Sequence, residues 1–404
     1  MRINTSVSKR AICLMLAAAG WVLSACGDLT EISDLNIVVG FGIDKDGEDV
    51  RVTVQMRNVV VGATSTEGMG QQGGGGGGKE YINLSSEGRT VEEAVENLRR
   101  VAPRRLYFAH NTVVVFGREY AENGIDPVLD FLLRSREFRR TQLFCVTSGT
   151  AEEVLHATVG GMEQVNALGL QRLLLPADIE FVIAPTTERI FLNQLLSPSH
   201  VPLMTWVDVE REKATLKGVG LFRGAKLAEL LPFQLAQSLL LLRGEIETYT
   251  VELPCDQPNR KSVVRIRFIR HELKPLRKGG DIAFHVHIRG TGEPVTMCHG
   301  NYLEPETFKK MKKAVRSQLE QQLRKTVAFL QQRKLDGAMF GSAVYRVDPK
   351  WWRAHAKEWP RLFGKVPVKI DVQVDVTRPG MLTTPPEHNY TPELFPPKSV
   401  PGGD

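Results

Sequence analysis

Residues 305–335 read PETFKKMKKAVRSQLEQQLRKTVAFLQQRKL, and a little beyond them residues 366–377 read VPVKIDVQVDVT. In the first stretch Phe308, Met311, Val315, Leu319, Leu323, Val327 and Leu330 step by three and four residues with Lys and Gln between them. That period predicts a single amphipathic helix about 45 Å long, packing one stripe against something. In the second stretch apolar residues alternate with polar ones, the period of a strand with one buried face. A long helix beside alternating strands points to an α+β fold of several domains, with antiparallel-rich sheets.

The strands upstream fit that class. Ile32–Phe41 and Val50–Val61 are β-prone runs joined by a turn containing Asp46-Gly47, which predicts a hairpin. Thr90 and Glu93 form a capping-box pattern ahead of Val91, Ala94, Val95, Leu98 and Val101 at helical spacing. Residues 118–135 read as helix interrupted near Asp126-Pro127, and 141–147 and 151–158 as a strand and a helix. Three prolines between Pro185 and Pro202 predict a linker or subdomain edge. Beyond it a second hairpin turns at Arg223-Gly224, and a short helix over 233–242 meets a glycine stop at Gly244. The expected division is 1–25, 26–200 with a glycine-rich surface loop over 62–79, 201–380 divisible near 300, and a tail over 381–404. Seven prolines follow Arg378.

Composition narrows the function classes. Of 404 residues 42% are hydrophobic and 24% charged, ordinary for a globular chain and unlike a disordered or multi-span membrane protein. The formal charge is +6, but Arg2, Lys9 and Arg10 lie in the first ten residues; without them it is +3, too near neutral for a general nucleic-acid binder. Those three residues precede an apolar run over Ala11–Leu23, which is shorter than the ~20 residues needed to span a bilayer and fits an export signal. Leu23-Ser24-Ala25-Cys26 follows and resembles the lipobox of bacterial lipoproteins, which implies removal of residues 1–25 and acylation of Cys26. Cys145, Cys255 and Cys298 then remain; three thiols allow one disulfide at most, and no disulfide framework is expected.

Sites of chemistry are sparse. Gly73–Lys79 fits G-x-x-x-x-G-K, but Glu80 stands where a phosphate loop needs Ser or Thr, so a surface loop is expected. His285 and His287 share one face of a strand, with no third ligand at a diagnostic spacing and no acidic partner evident, so no metal site is expected. Arg265 and Arg267, with Arg270 beyond, make a basic stripe that suits a solvated face or anionic headgroups. Trp351, Trp352 and Trp359 read as core or interface aromatics, and His110 and Arg104 as structural polar groups. No catalytic motif stands out, and the chain is expected not to be an enzyme.

Cys26–Ile32 with Val38-Val39-Gly40-Phe41-Gly42-Ile43-Asp44 resembles the mature start of the Ger(x)C spore germination lipoproteins. Arg104–His110 and Phe131–Arg139 resemble the middle of their N-terminal domain; Asp336-Gly337-Ala338-Met339-Phe340-Gly341, Trp351-Trp352 and 366–380 resemble the end of their C-terminal domain. The resemblance implies a non-enzymatic C subunit of a germinant receptor. It implies mixed α/β domains, no cofactor, membrane-embedded A and transporter-like B subunits as partners, and a lipid anchor at Cys26 on the outer face of the spore inner membrane. A solute-binding lipoprotein is the rival from another class; the paired βαβ lobes expected of it are missing from the pattern.

Overall fold

The computed structural model of the chain describes residues 34–58, 80–160, 163–175, 185–255, 260–278, 281–298 and 305–376. The leader, Cys26, the glycine-rich loop and the proline-rich tail lie outside the described residues.

The first hairpin forms as its alternation requires. β1 (Leu35–Asp46) and β2 (Asp49–Arg57) pair antiparallel about Gly47, whose φ of 57° carries no Cβ penalty. β3 (Tyr81–Gly88) adds antiparallel to β2. α1 (Val91–Val101) begins where the Thr90 side chain accepts the Glu93 N–H, and it buries Val91, Ala94, Val95 and Leu98, the stripe legible in the sequence. β4 (Arg105–Tyr107) and β5 (Val113–Phe116) both lie parallel to β1. The broken helix resolves into α2 (Arg118–Asn123) and α3 (Asp126–Arg134), parted at Gly124. β6 (Leu143–Val146), α4 (Ala151–His156), α5 (Asn166–Leu174) and α6 (Glu188–Leu195) follow, then β7 (Leu203–Glu210), β8 (Lys213–Arg223) and β9 (Lys226–Pro232).

These strands form one sheet, ordered β3-β2-β1-β5-β6-β7-β8-β9 with β4 beside β1, in which antiparallel hairpins flank a parallel centre. Every residue of β5 and β6 is buried, because helices cover both faces of the parallel part. One face packs Phe41, Phe116, Phe144, Phe191 and Phe222 with α1 and α3; the other packs Val39, Val113, Val115 and Cys145 with α4 and α5. β7 pairs β6 through Cys145–Thr205 and Val146–Trp206, so hydrogen-bonded sheet runs across residue 200, where the prolines predict an edge. Choice of a parallel neighbour is a tertiary matter that local proline count does not encode.

α7 (Phe233–Arg243) ends at Gly244 in the left-handed region, φ 71°. A second sheet is ordered β10 (Thr248–Pro254), β11 (Lys261–Lys278), β12 (Asp281–Thr296) and β13 (Val368–Val376). Between β12 and its parallel neighbour β13 the chain makes α8 (Pro305–Arg333), α9 (Phe340–Val347), α10 (Pro349–His355) and α11 (Trp359–Phe363). α8 is the long helix; it buries Met311, Val315, Leu319, Leu323, Val327 and Leu330. Its polar side chains also reach the sheet's outer strands. Gln318 donates to the Glu252 carbonyl of β10 at 2.8 Å; on β13, Glu320 accepts the Val372 N–H at 3.3 Å and Arg324 donates to the Ile370 carbonyl. The core under α8 takes in Leu203, Val219, Leu221 and Leu231 from the first sheet, so the two sheets share packed interior.

Candidate functional site

The Asp336–Gly341 segment lies where the two sheets join. Asp336 is 2% exposed, and four donors converge on its carboxylate. The Phe340 N–H meets Oδ1 at 2.8 Å; the Gly341 N–H, Ser199 hydroxyl and Trp359 Nε1–H meet Oδ2 at 2.6, 2.8 and 2.9 Å. Burial pushes the carboxyl up to about 6 against the pull of those hydrogen bonds. Gly341 is required by its neighbours: a Cβ there would stand 2.5 Å from Trp352 and 2.8 Å from Trp359 Nε1. Met339, at φ 62°, turns the chain into α9. Ser199 belongs to the segment leading into β7, so this one carboxylate ties the first sheet to α9 and α11.

Beside this joint opens a cleft of about 720 Å³, walled by Pro198, His271, Leu273, Ala338, Met339 and Tyr345 among others. Its polar groups are largely committed. Arg243 donates to Glu245 at 2.7 Å and to the Gly337 carbonyl at 3.2 Å, and Glu272 pairs with Arg270 and with Lys274. Burial holds the His271 imidazole below its ordinary range and therefore neutral at pH 7.

A second node organises the other end of the chain. Asp44, 5% exposed at the end of β1, accepts the Ala151 and Glu152 N–H groups at 2.7 and 3.1 Å and so closes the start of α4. Burial nonetheless raises its carboxyl. Gly117 faces it: a Cβ there would overlap Asp44 Oδ1. Gly40 and Gly42 leave room for Leu155, Ala167 and Ala151, whose side chains would lie within 3.1 Å of added Cβ atoms. The G-F-G-I-D run is thus a packing seat for α4 and α5.

Known proteins share this architecture. Residues 28–209 match the family model described as the spore germination protein N-terminal domain, and residues 217–380 match the one described as spore germination B3/GerAC like, C-terminal. The chain belongs to the GerAC-like family of spore germination proteins. It is 25% identical to the putative spore germination protein YfkR of Bacillus subtilis (strain 168) over 378 residues, covering 89% of this chain and 94% of that one. It is 24% identical to spore germination protein KC of the same organism over 410 residues, covering 95% and 99%. The fold is similar to the crystal structure of the GerBC protein, with a TM-score of 0.55 and 19% identity over 83% of this chain and 96% of that one. This is a family of germinant-receptor subunits and is not a known enzyme family. The seam between the two GerAC-like regions, 209 to 217, falls within the β7–β8 hairpin, so both regions contribute strands to one sheet.

Within the GerAC-like fold the other sequence candidates divide. Trp352 and Trp359 are 6% and 2% exposed and meet edge to face at 5.2 Å, while Trp351 stacks on His355 at 4.1 Å. His285 does have an acidic partner, Asp371 of β13, at 2.6 Å; the sequence hid it because the two stand 86 residues apart. Among the described residues no three metal-ligating side chains gather. Arg270 of the basic stripe pairs with Glu272. Cys255 and Cys298 form a disulfide with 6.2 Å between Cα atoms, the one bridge that three thiols can form at a time, while Cys145 is buried in the first sheet, which pushes its thiol well up. The Arg104 carbonyl accepts from Asn36 at 3.1 Å, and exposed His110 lies 5.7 Å from the Tyr107 ring. Sequence reasoning missed Asp336 and Asp44 as structural centres. A lone acid within a Gly-rich apolar run was the available signal.

Proposed function

We propose that this chain is the non-enzymatic C subunit of a spore germinant receptor, held at the outer face of the spore inner membrane by acyl chains on Cys26 and assembling there with membrane A and B subunits. The observation that carries the reading is the juxtaposition of a lipobox ending at Cys26 with GerAC-like sequence beginning at residue 28. Two or three acyl chains hold a protein on a bilayer without a spanning helix, at about 0.8 kcal/mol per buried CH₂. Among the described residues no helix is long and apolar enough to cross a membrane. The Cys255–Cys298 disulfide supports an exported location, since such bonds persist in oxidising compartments. A tether also raises the effective concentration of the body near integral partners.

The test is metabolic labelling with palmitate, together with membrane fractionation and nutrient-triggered germination, in cells carrying the parent chain or Cys26→Ala. The parent chain is expected to carry label, to stay with membranes through a wash in about 1 M salt, where the Debye length is ~3 Å, and to support germination. Cys26→Ala is expected to lose the label. A labelled Cys26→Ala chain, or a parent chain that carries no label, would show the anchor assignment to be wrong.

A further inference from the structure

The end of the first sheet at which β1 begins is dense in arginine. The last turns of α1 and α3 finish there with Arg99, Arg100 and Arg134, and the segments over 104–110 and 135–140 close around them. Their proximity is fixed by contacts: Phe138 packs on Phe108 at 4.9 Å and on Phe131 at 5.7 Å, Arg99 reaches Glu137 at 3.5 Å, and Arg105 pairs across the sheet with Leu35. Arg99 also pairs with Glu96, and Arg134 with Asp130. The exposed Arg100, Arg104, Arg105, Arg136 and Arg139 form no ion pair among the described residues, and Arg100 donates to Asn97 Oδ1 at 3.2 Å. Val101 and Leu133 are 62% and 38% exposed among these cations. Solvent-facing arginines interspersed with unburied aliphatic side chains are the composition of a surface that meets lipid headgroups.

The chain's path says which surface this end faces. Leu35, the first residue of β1, lies nine residues after Cys26, a reach of at most about 30 Å even when fully extended. A bilayer holding Cys26 therefore lies close to Arg104 and Arg105, which flank Leu35 and Asn36. We infer that the arginine-rich end formed by the α1 and α3 C-termini, residues 104–105 and residues 136–139 is a membrane-facing surface that binds anionic phospholipid headgroups. The orientation argument rests on the lipid-anchor reading, while the headgroup binding is a property of the surface itself.

The test separates the two. The unacylated mature chain, residues 26–404 with Cys26→Ala, is sedimented with vesicles of phosphatidylglycerol or of phosphatidylcholine, with and without Arg104→Gln, Arg105→Gln, Arg136→Gln and Arg139→Gln combined. Binding is expected to phosphatidylglycerol alone, to fall as salt rises, and to weaken roughly several hundredfold in the fourfold variant, at about fivefold per arginine. The corresponding fourfold Lys variant is expected to bind like the parent, because the attraction is to charge; it and the salt dependence decide the matter should the Gln variant fold poorly. Equal binding to both vesicles, no binding to either, or undiminished binding by a folded Gln variant would overturn the inference. Palmitate labelling at Cys26 reports on the anchor whatever the vesicles show.

Discussion

Replacing Asp336 by Asn should change how stability depends on pH, with a sign that the structure dictates. The folded carboxyl titrates near 6 against 3.8 ordinarily, so the folded chain holds its proton more tightly than the unfolded chain does. Stability from this group is therefore fully present below pH 4 and is lost as pH rises through 6. At about 1.36 kcal/mol per pH unit the total is about 3 kcal/mol, of which about 2 kcal/mol disappears between pH 4.5 and 7. Asparagine carries no such term. Its amide must also set N–H against at least one of the donors from Phe340, Gly341, Ser199 and Trp359, at about 1–3 kcal/mol for each buried donor left unpaired. Asp336→Asn is expected to be less stable than the parent at pH 4.5 and to close that gap by about 2 kcal/mol at pH 7. Urea unfolding followed by tryptophan fluorescence at both pH values measures the gap. Other shifted groups, such as Asp44 and Glu188 raised by burial and Asp208 lowered by Ser148 and its neighbours, are common to both chains and cancel in the difference. A gap that stays constant with pH would refute the reasoning.

Gly117→Ala should displace Asp44 from the start of α4 and lower stability by about 1–3 kcal/mol, seen as a lower urea midpoint with an unchanged slope. Cys255→Ser opens a link between positions 43 residues apart, and about 2–4 kcal/mol should be lost; reductant should then lower the melting temperature of the parent chain and leave the variant unmoved.

What the sequence made legible is what depends on neighbours along the chain. The 305–335 helix and the 366–377 strand each carry their period within one unbroken stretch, and α1 announces itself through Thr90 and Glu93. The Gly244 stop is likewise local, since a glycine in the left-handed region ends a helix wherever it occurs. What escaped is non-local. α5 and α6 are only nine and eight residues long, and polar Asn166, Glu188 and Gln194 take buried places on their inner faces, which blurs the apolar period. The partnership of His285 with Asp371 depends on β13 lying parallel to β12, a register set through four intervening helices. Continuation of the first sheet past Pro202 depends on β7 choosing β6. Of the site, the residues of the Asp336 segment were visible as family sequence, but a carboxylate's role as a hub appears only when Ser199 and Trp359 arrive from 137 and 23 residues away.

The side chains that α8 extends over β10 and β13 have a consequence for life on a surface. Proteins confined to a membrane plane collide sideways far more often than in solution, and two bare strand edges meeting in that plane can zip together. Gln318 on one side, with Glu320 and Arg324 on the other, occupy backbone groups that such a neighbour would need. Lys312 adds a charge at Asp375 near the end of β13. A single helix thus roofs its sheet and also caps backbone groups on both of its outer strands.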